Sequence, residues 1–387
     1  MVRGTAQGFV FPDLPVTTSM EDLRILDDDT TSITVRAKTP PEKNRLLPVS
    51  EWSATLSSSD EIHSVPITFP TLHRCNLHQQ MRIASANSAN NATVKKYMDE
   101  RLKVLGNQWF DNGDILLQML RSCDALISGD VALQFLLPER RTRWYPVHLH
   151  LYVSTSYHIS MYRQLEMHGY KIINERVPNY WTLGHSTVAQ TATFARSSRL
   201  IKVTVSTTTA PSAPIFEQES TALMNFISHD RVYCAYPTLT FHGIAMINPG
   251  LLYTGMFCIE NVQTSLRYRR RGFLYTSCHH NTGISVPCPS VTRAITDSSG
   301  MWWDLKRMEE IHSSPRHFFE RFGVVDCHWT LGGPICGCPH TLVLPEVRVV
   351  QDESYVFSMC AAYATLTNSQ LALFIMVSTS SEANIQM

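Results

Sequence analysis

The residues best suited to chemistry fall into four groups. His148 and His150 are separated by a single residue, so on a strand both imidazoles would project from one face. Neutral imidazole suits zinc, copper, nickel or iron. It makes a poor site for magnesium, a hard cation that wants oxygen ligands in an octahedron. The plainer alternative is two histidines on a half-exposed strand that bind nothing, because a lone His pair is a weak motif. The second group is the turn Ser128-Gly129-Asp130. A turn that opens a helix can offer its amides to a phosphate, but a carboxylate at the N-cap occupies the same amides and repels an anion. Phosphate binding by Ser128, Gly129 and Asp130 is therefore expected to be weak. The third group holds Cys327, Cys336, Cys338 and His340 around a Gly332-Gly333-Pro334 turn. These are four zinc-type ligands, although Cys-x-Cys lacks the two-residue gap common in structural zinc sites; the alternative is reduced, unpaired thiols. The fourth is basic: Arg140, Arg141 and Arg143, then Arg267, Arg269, Arg270 and Arg271, interleaved with Trp144, Tyr145, Tyr268 and Phe273. Arginines among aromatics can grip phosphates and stack bases, or they can be a solvated loop and a solvated helix face.

The elements that must position these residues are legible in part. Gly129 supplies the turn, Asp130 is placed to cap a helix over 131–137, and Pro138 stops it. The run from Val147 to Val153 alternates, with His148, His150 and Tyr152 on one face and Leu149, Leu151 and Val153 on the other. Upstream, Val94, Met98, Leu102 and Leu105 recur at helical spacing, with Gly106 as the stop. Asp111 or Asn112 caps a second helix whose face is Ile115, Leu116, Met119 and Leu120. Downstream, 156–168 reads as a helix ended by Gly169, Tyr170 to Ile173 as short and extended, Arg199 to Ser206 as a strand, and Glu219 to Ile227 as a helix.

Two runs carry a resemblance. SGDVALQF at 128–135, followed by HLHLYV at 148–153, is similar to the nucleotidyltransferase fold. It looks especially like a group of fungal proteins with a Ser-Gly-Ser-x-Ala-Leu-Gln-Phe-Phe run before an Asp-Leu-Asp-Leu-Tyr-Val strand. The run ESTALMNFISHDRVYCAYPTLTF from Glu219 looks like the same group, and RYRRRGF and RAITDSSGMWWDL match it more weakly, so the resemblance spans about 92–305. It implies that the family's Gly corresponds to Gly129, its following Ser to Asp130, and its two metal-binding aspartates to His148 and His150. It also implies a third carboxylate on a strand at 199–206, where none of the eight residues is acidic. Two-metal transfer needs those carboxylates. The resemblance therefore implies a nucleotidyltransferase-like pseudoenzyme that has lost its catalytic metal site and acts as a binding or regulatory module. The alternatives are an active transferase using His148 and His150 on another metal, and a protein-interaction scaffold.

The whole chain sets the bounds. Its 387 residues carry 33 Lys+Arg and 33 Asp+Glu, so net charge makes no global case for nucleic acid or a membrane surface. No run is long and apolar enough to span a bilayer, and 1–16 lacks the apolar core of a signal peptide, so an intracellular protein (cytoplasm or nucleus) with reduced cysteines is expected. Residues 1–91 are polar and punctuated, which predicts a largely disordered extension that could recruit protein partners. The expected fold is α/β (α+β): a nucleotidyltransferase-like core of small mixed sheet and flanking helices over 92–210, a helical or mixed part over 211–310, and a Cys/His-containing extension over 311–387. No cofactor is expected; the residue types admit zinc and disfavour magnesium, and nucleotide or RNA binding is expected to be weak.

Overall fold

A computed structural model describes residues 67–142, 144–177, 186–248, 259–278, 284, 286–305, 327–335 and 338–349. Arg143, Cys336 and the predicted extension before residue 67 lie outside the described residues, as does the apolar run 371–377.

Four helices open the described chain: α1 (Phe69–Leu72), α2 (Leu77–Ala86), α3 (Ser88–Trp109) and α4 (Gly113–Ser122). Asn76 and Gln79 form a reciprocal capping box at the start of α2, each side chain accepting from the other's amide at 2.9 Å. Asn87 and Asn112 cap α3 and α4 through their side-chain oxygens. The predicted boundary at Ala92 therefore falls inside α3. Residues 69–91 form α1, α2 and the start of α3 because Leu72, Leu77, Ile83 and Ala84 bury against the same core as Val94 and Met98, a face too interrupted by polar residues to read from periodicity. Gly106 is not the stop of α3 either, which runs three residues further. A Cβ on Gly106 would lie 2.6 Å from the Gly113 carbonyl oxygen, so this glycine sets the close approach of α3 to α4.

The chain continues through β1 (Leu126–Ser128), α5 (Asp130–Leu136), β2 (Leu149–Ser154), α6 (His158–Met167), β3 (Lys171–Arg176), β4 (Val188–Arg196) and β5 (Arg199–Ser206). It then forms β6 (Asn225–Ile227), β7 (Arg231–Cys234), α7 (Pro237–His242), β8 (Ile244–Met246), α8 (Ile259–Arg270), β9 (Leu274–Thr276), β10 (Arg293–Ala294) and β11 (Met301–Asp304). Last come β12 (Cys327–Thr330), β13 (Gly333–Ile335), β14 (Cys338–Val343) and β15 (Glu346–Val349). The predicted helix over 219–227 is instead a single 3-10 turn at Thr221–Leu223 running into β6. The segment is buried on every side, so its apolar residues carry no usable period.

The protein is a mixed α/β fold whose main sheet is eight-stranded, in the order β11-β7-β6-β1-β2-β5-β4-β3. Every neighbouring pair is antiparallel except β2 and β5, which run parallel with His150 opposite Lys202 and Tyr152 opposite Thr204. Leu149, Leu151 and Val153 of β2 and Ile201, Val203 and Val205 of β5 bury in one core with α2–α6. Tyr152 enters a second core with Phe216, Phe226, Tyr233 and Trp329. Of the strands in 225–304, β6, β7 and β11 belong to the main sheet, β8 pairs with β9, and β10 pairs with β12, which also pairs with β15; the Trp329 ring stacks on Phe216 at 4.0 Å. The described part of 211–310 is mixed, with α7 and α8 beside six short strands, that of 311–387 consists of strands β12 to β15, and both belong to the one compact unit holding all described residues. Among the described residues no helix is long and apolar enough to cross a membrane.

Candidate functional site

The site forms where β1 turns into α5 beside β2 and β5. Gly129 is the N-cap of α5, at φ 71°, a conformation that favours glycine. A Cβ here would stand 3.8 Å from the His150 side chain, so the turn lies against the histidine strand. Asp130 is therefore the first helical residue and not the cap that its type suggests. Ser128 is fully buried, and its hydroxyl donates to the Leu223 and Asn225 carbonyls at 3.2 and 2.6 Å. Neither side chain of the predicted phosphate turn faces an incoming anion: one ties β1 to β6, the other is paired.

Asp130's partner comes from α8 and the turn after it. Arg271 donates to both carboxylate oxygens, at 2.9 and 3.0 Å, and the Tyr268 hydroxyl donates to one of them. Burial works to raise the Asp130 carboxyl, but Arg271 and Tyr268 outweigh it and hold the group below the ordinary carboxylate range. The Arg271 guanidinium also stacks 4.7 Å over the Trp144 ring and 5.0 Å over Tyr268. Two basic clusters more than a hundred residues apart in sequence are joined at this point.

His150 sits at the centre. Its Nε2 lies 2.8 Å from the Thr204 hydroxyl and its Nδ1 3.2 Å from the Tyr152 hydroxyl, with its ring stacked 4.3 Å from Tyr152. A neutral imidazole has one donor and one acceptor, and here both are used. Burial pushes its pKa well below the ordinary histidine value, and the cation of Lys202 adds to the effect. His148 is shifted the same way, again by burial first, then by Lys202, with Asp130 opposing. The two rings are 5.9 Å apart, edge to face. Gln218 completes the network by donating to the Tyr152 hydroxyl at 3.0 Å.

Lys202 occupies the β5 position in register with His150. Burial lowers its pKa, and Glu219 opposes that shift. Glu219 was not legible as a site residue, since the sequence places it only at the start of a helix over 219–227. In the fold it is 5% exposed, and its Oε1 has no hydrogen-bond partner among the described residues. Burial raises its carboxyl to about 7, with Arg267 and Lys202 recovering part of the shift. Arg267 likewise has a buried Nε without a hydrogen-bond partner among the described residues. The carboxylates of the site are thus Asp130, committed to Arg271, and Glu219, too buried to ionise readily.

Of the predicted thiol ligands, Cys327 is buried in the second core opposite Val349, and burial raises its thiol to about 12. Cys338 and His340 lie on β14, but their side chains, like Cys336, are outside the description. Among the described residues no three His, Cys, Asp or Glu side chains converge on a point that could hold a metal ion. No protein-family model, curated protein sequence or solved structure matches the chain.

Proposed function

We propose that the protein is a nucleotidyltransferase-like pseudoenzyme that acts as a binding or regulatory module. The observation that carries this reading is the β2–β5 register. Where the resemblance calls for three carboxylates around the Gly129 turn, the parallel strands hold His150 and Lys202, and His148 stands just before β2. Two uncharged imidazoles and an ammonium cannot neutralise a pair of divalent ions and a triphosphate. The two nearby acids do not substitute, because Asp130 is held by Arg271 and burial raises the Glu219 carboxyl to about 7, where its charge is only partly present at neutral pH. The alternative of a transferase using imidazole ligands is disfavoured by His150, whose two ring nitrogens already bond to Thr204 and Tyr152.

The test is incorporation of labelled nucleotide with magnesium, manganese and zinc in parallel, each nucleotide being offered with RNA, protein and small-molecule acceptors. No metal-dependent transfer is expected. His148→Asp with His150→Asp should not restore it, since Lys202 would still lie beside position 150. Magnesium-dependent turnover by the natural chain, abolished in His148→Ala, would overturn the reading.

A further inference from the structure

The joining of the two arginine clusters has a consequence at the surface. Arg271 stacks on Trp144 and grips Asp130, which brings the 139–147 loop against the C-terminal end of α8. The neighbours of these two anchors point to solvent. Tyr145 is 89% exposed, and Arg140, Arg269 and Arg270 are exposed and form no ion pair among the described residues. The two acids nearest in sequence to Trp144 are already paired. Glu139 accepts from the Tyr97 hydroxyl at 2.9 Å and lies 3.4 Å from both Arg101 and His73, while Asp130 is consumed by Arg271. On α8 and its turn, four arginines face a single acid, Glu260, at the far end of the helix. The chain has no net charge, so this local excess of positive charge comes from how the fold disposes its acids.

We propose that Tyr145, Arg140, Arg269 and Arg270 form a binding surface for single-stranded nucleic acid. Guanidinium groups contact successive phosphates, and an exposed aromatic ring offers a stacking face to an unpaired base whatever its identity. Single strands suit the surface better than a duplex, whose bases present no stacking face. A membrane fits less well: α8 exposes Ile259, Val262 and Leu266, with Val147 and Leu274 elsewhere, but exposed Glu260 and Gln263 interrupt them, so they make no continuous inserting face. The inference names a partner class for the binding module proposed above, but it rests on the exposed side chains and not on the fate of the metal site.

The experiment is fluorescence anisotropy of the full chain with labelled oligo(U), across salt. Three phosphate contacts at about 0.7 released counterions each predict a log–log salt slope of about −2, or about twentyfold weaker binding from about 50 to 200 mM salt. The Arg140→Ala, Arg269→Ala, Arg270→Ala triple variant should lose most of that slope. Tyr145→Ala should weaken binding about tenfold, and Tyr145→Phe should retain it, since the ring and not the hydroxyl stacks. Circular dichroism and melting of each variant check that the fold is intact, as expected for exposed positions. No oligo(U) binding at low salt overturns the proposal, as does binding that neither variant changes. So does binding to phosphatidylserine vesicles without binding to oligo(U). Metal-dependent nucleotide transfer would instead remove the pseudoenzyme reading and leave this surface standing.

Discussion

Glu219→Gln should remove a pH dependence of stability that the natural chain carries between about 4.5 and 7. Burial raises this carboxyl from 4.5 to about 7, a difference of 2.5. At about 1.4 kcal/mol per unit, keeping Glu219 ionised in the fold costs about 3 kcal/mol. Between the two values the folded chain holds a proton that the unfolded chain has released, so this group makes stability fall as pH rises through the window. Linkage gives a penalty of about 1.5 kcal/mol at pH 5.5 and about 3 kcal/mol at pH 8. His148 and His150 act in the opposite sense. Their folded values are lowered, so their contribution is present above about 6.5 and is lost as pH falls below it. The natural profile therefore combines opposed trends, and only the difference from the Gln variant isolates Glu219. Gln has nearly the same shape; losing Glu219 also lowers the pKa of the Lys202 ammonium further, which works in the same window only if that group titrates there, so the comparison rests on the pH 5.5 to 7.5 points. The assay is urea unfolding of both proteins at pH 5.5, 6.5, 7.5 and 8. The Gln variant should gain about 1.5–2 kcal/mol on the natural chain from pH 5.5 to 7.5. Parallel profiles would show that Glu219 is already ionised at neutral pH and refute the reasoning.

Three further perturbations follow. Asp130→Ser should lower stability by about 3 kcal/mol, because it leaves the Arg271 guanidinium, 11% exposed, without its carboxylate; adding Arg271→Met should recover part of that loss in a double-mutant cycle, and additive losses would count against the pair. Gly106→Ala drives a methyl group to 2.6 Å from the Gly113 carbonyl oxygen and should cost about 2 kcal/mol as α3 and α4 separate, read as a drop in the urea midpoint; an unchanged midpoint would show that the crossing is loose. A chain starting at Ala92 loses α1, α2 and the first turn of α3, including the fully buried Leu72 and Leu77, and at about 1.5–3 kcal/mol per buried side chain it should not fold stably, whereas one starting at Ile67 should. Matching circular dichroism and melting of the two fragments would contradict this.

The local signals in the sequence were sufficient for the alternating strands. The alternation at 147–153 and 199–206 placed Leu149, Leu151, Ile201 and Val203 on a common core face, because strand side chains alternate whatever lies around them. Gly129 and Gly169 marked turns at positive φ for a reason that is equally local. Two kinds of feature waited on the tertiary structure. Segments buried on all sides, such as 219–227, have no polar face and so no period to betray them. Long-range pairings leave no trace in spacing. Nothing near Asp130 announces Arg271, 141 positions away, and nothing in Glu219 announces the burial that keeps its proton. The parallel register of β5 on β2 sets Lys202 beside His150, and the pairing of Glu139 with Arg101 and of Asp130 with Arg271 leaves Arg140, Arg269 and Arg270 without an ion pair among the described residues. Residue types set which chemistry the chain could attempt. Charge pairing and desolvation, which depend on distances in the folded molecule, decided which of those groups remain available.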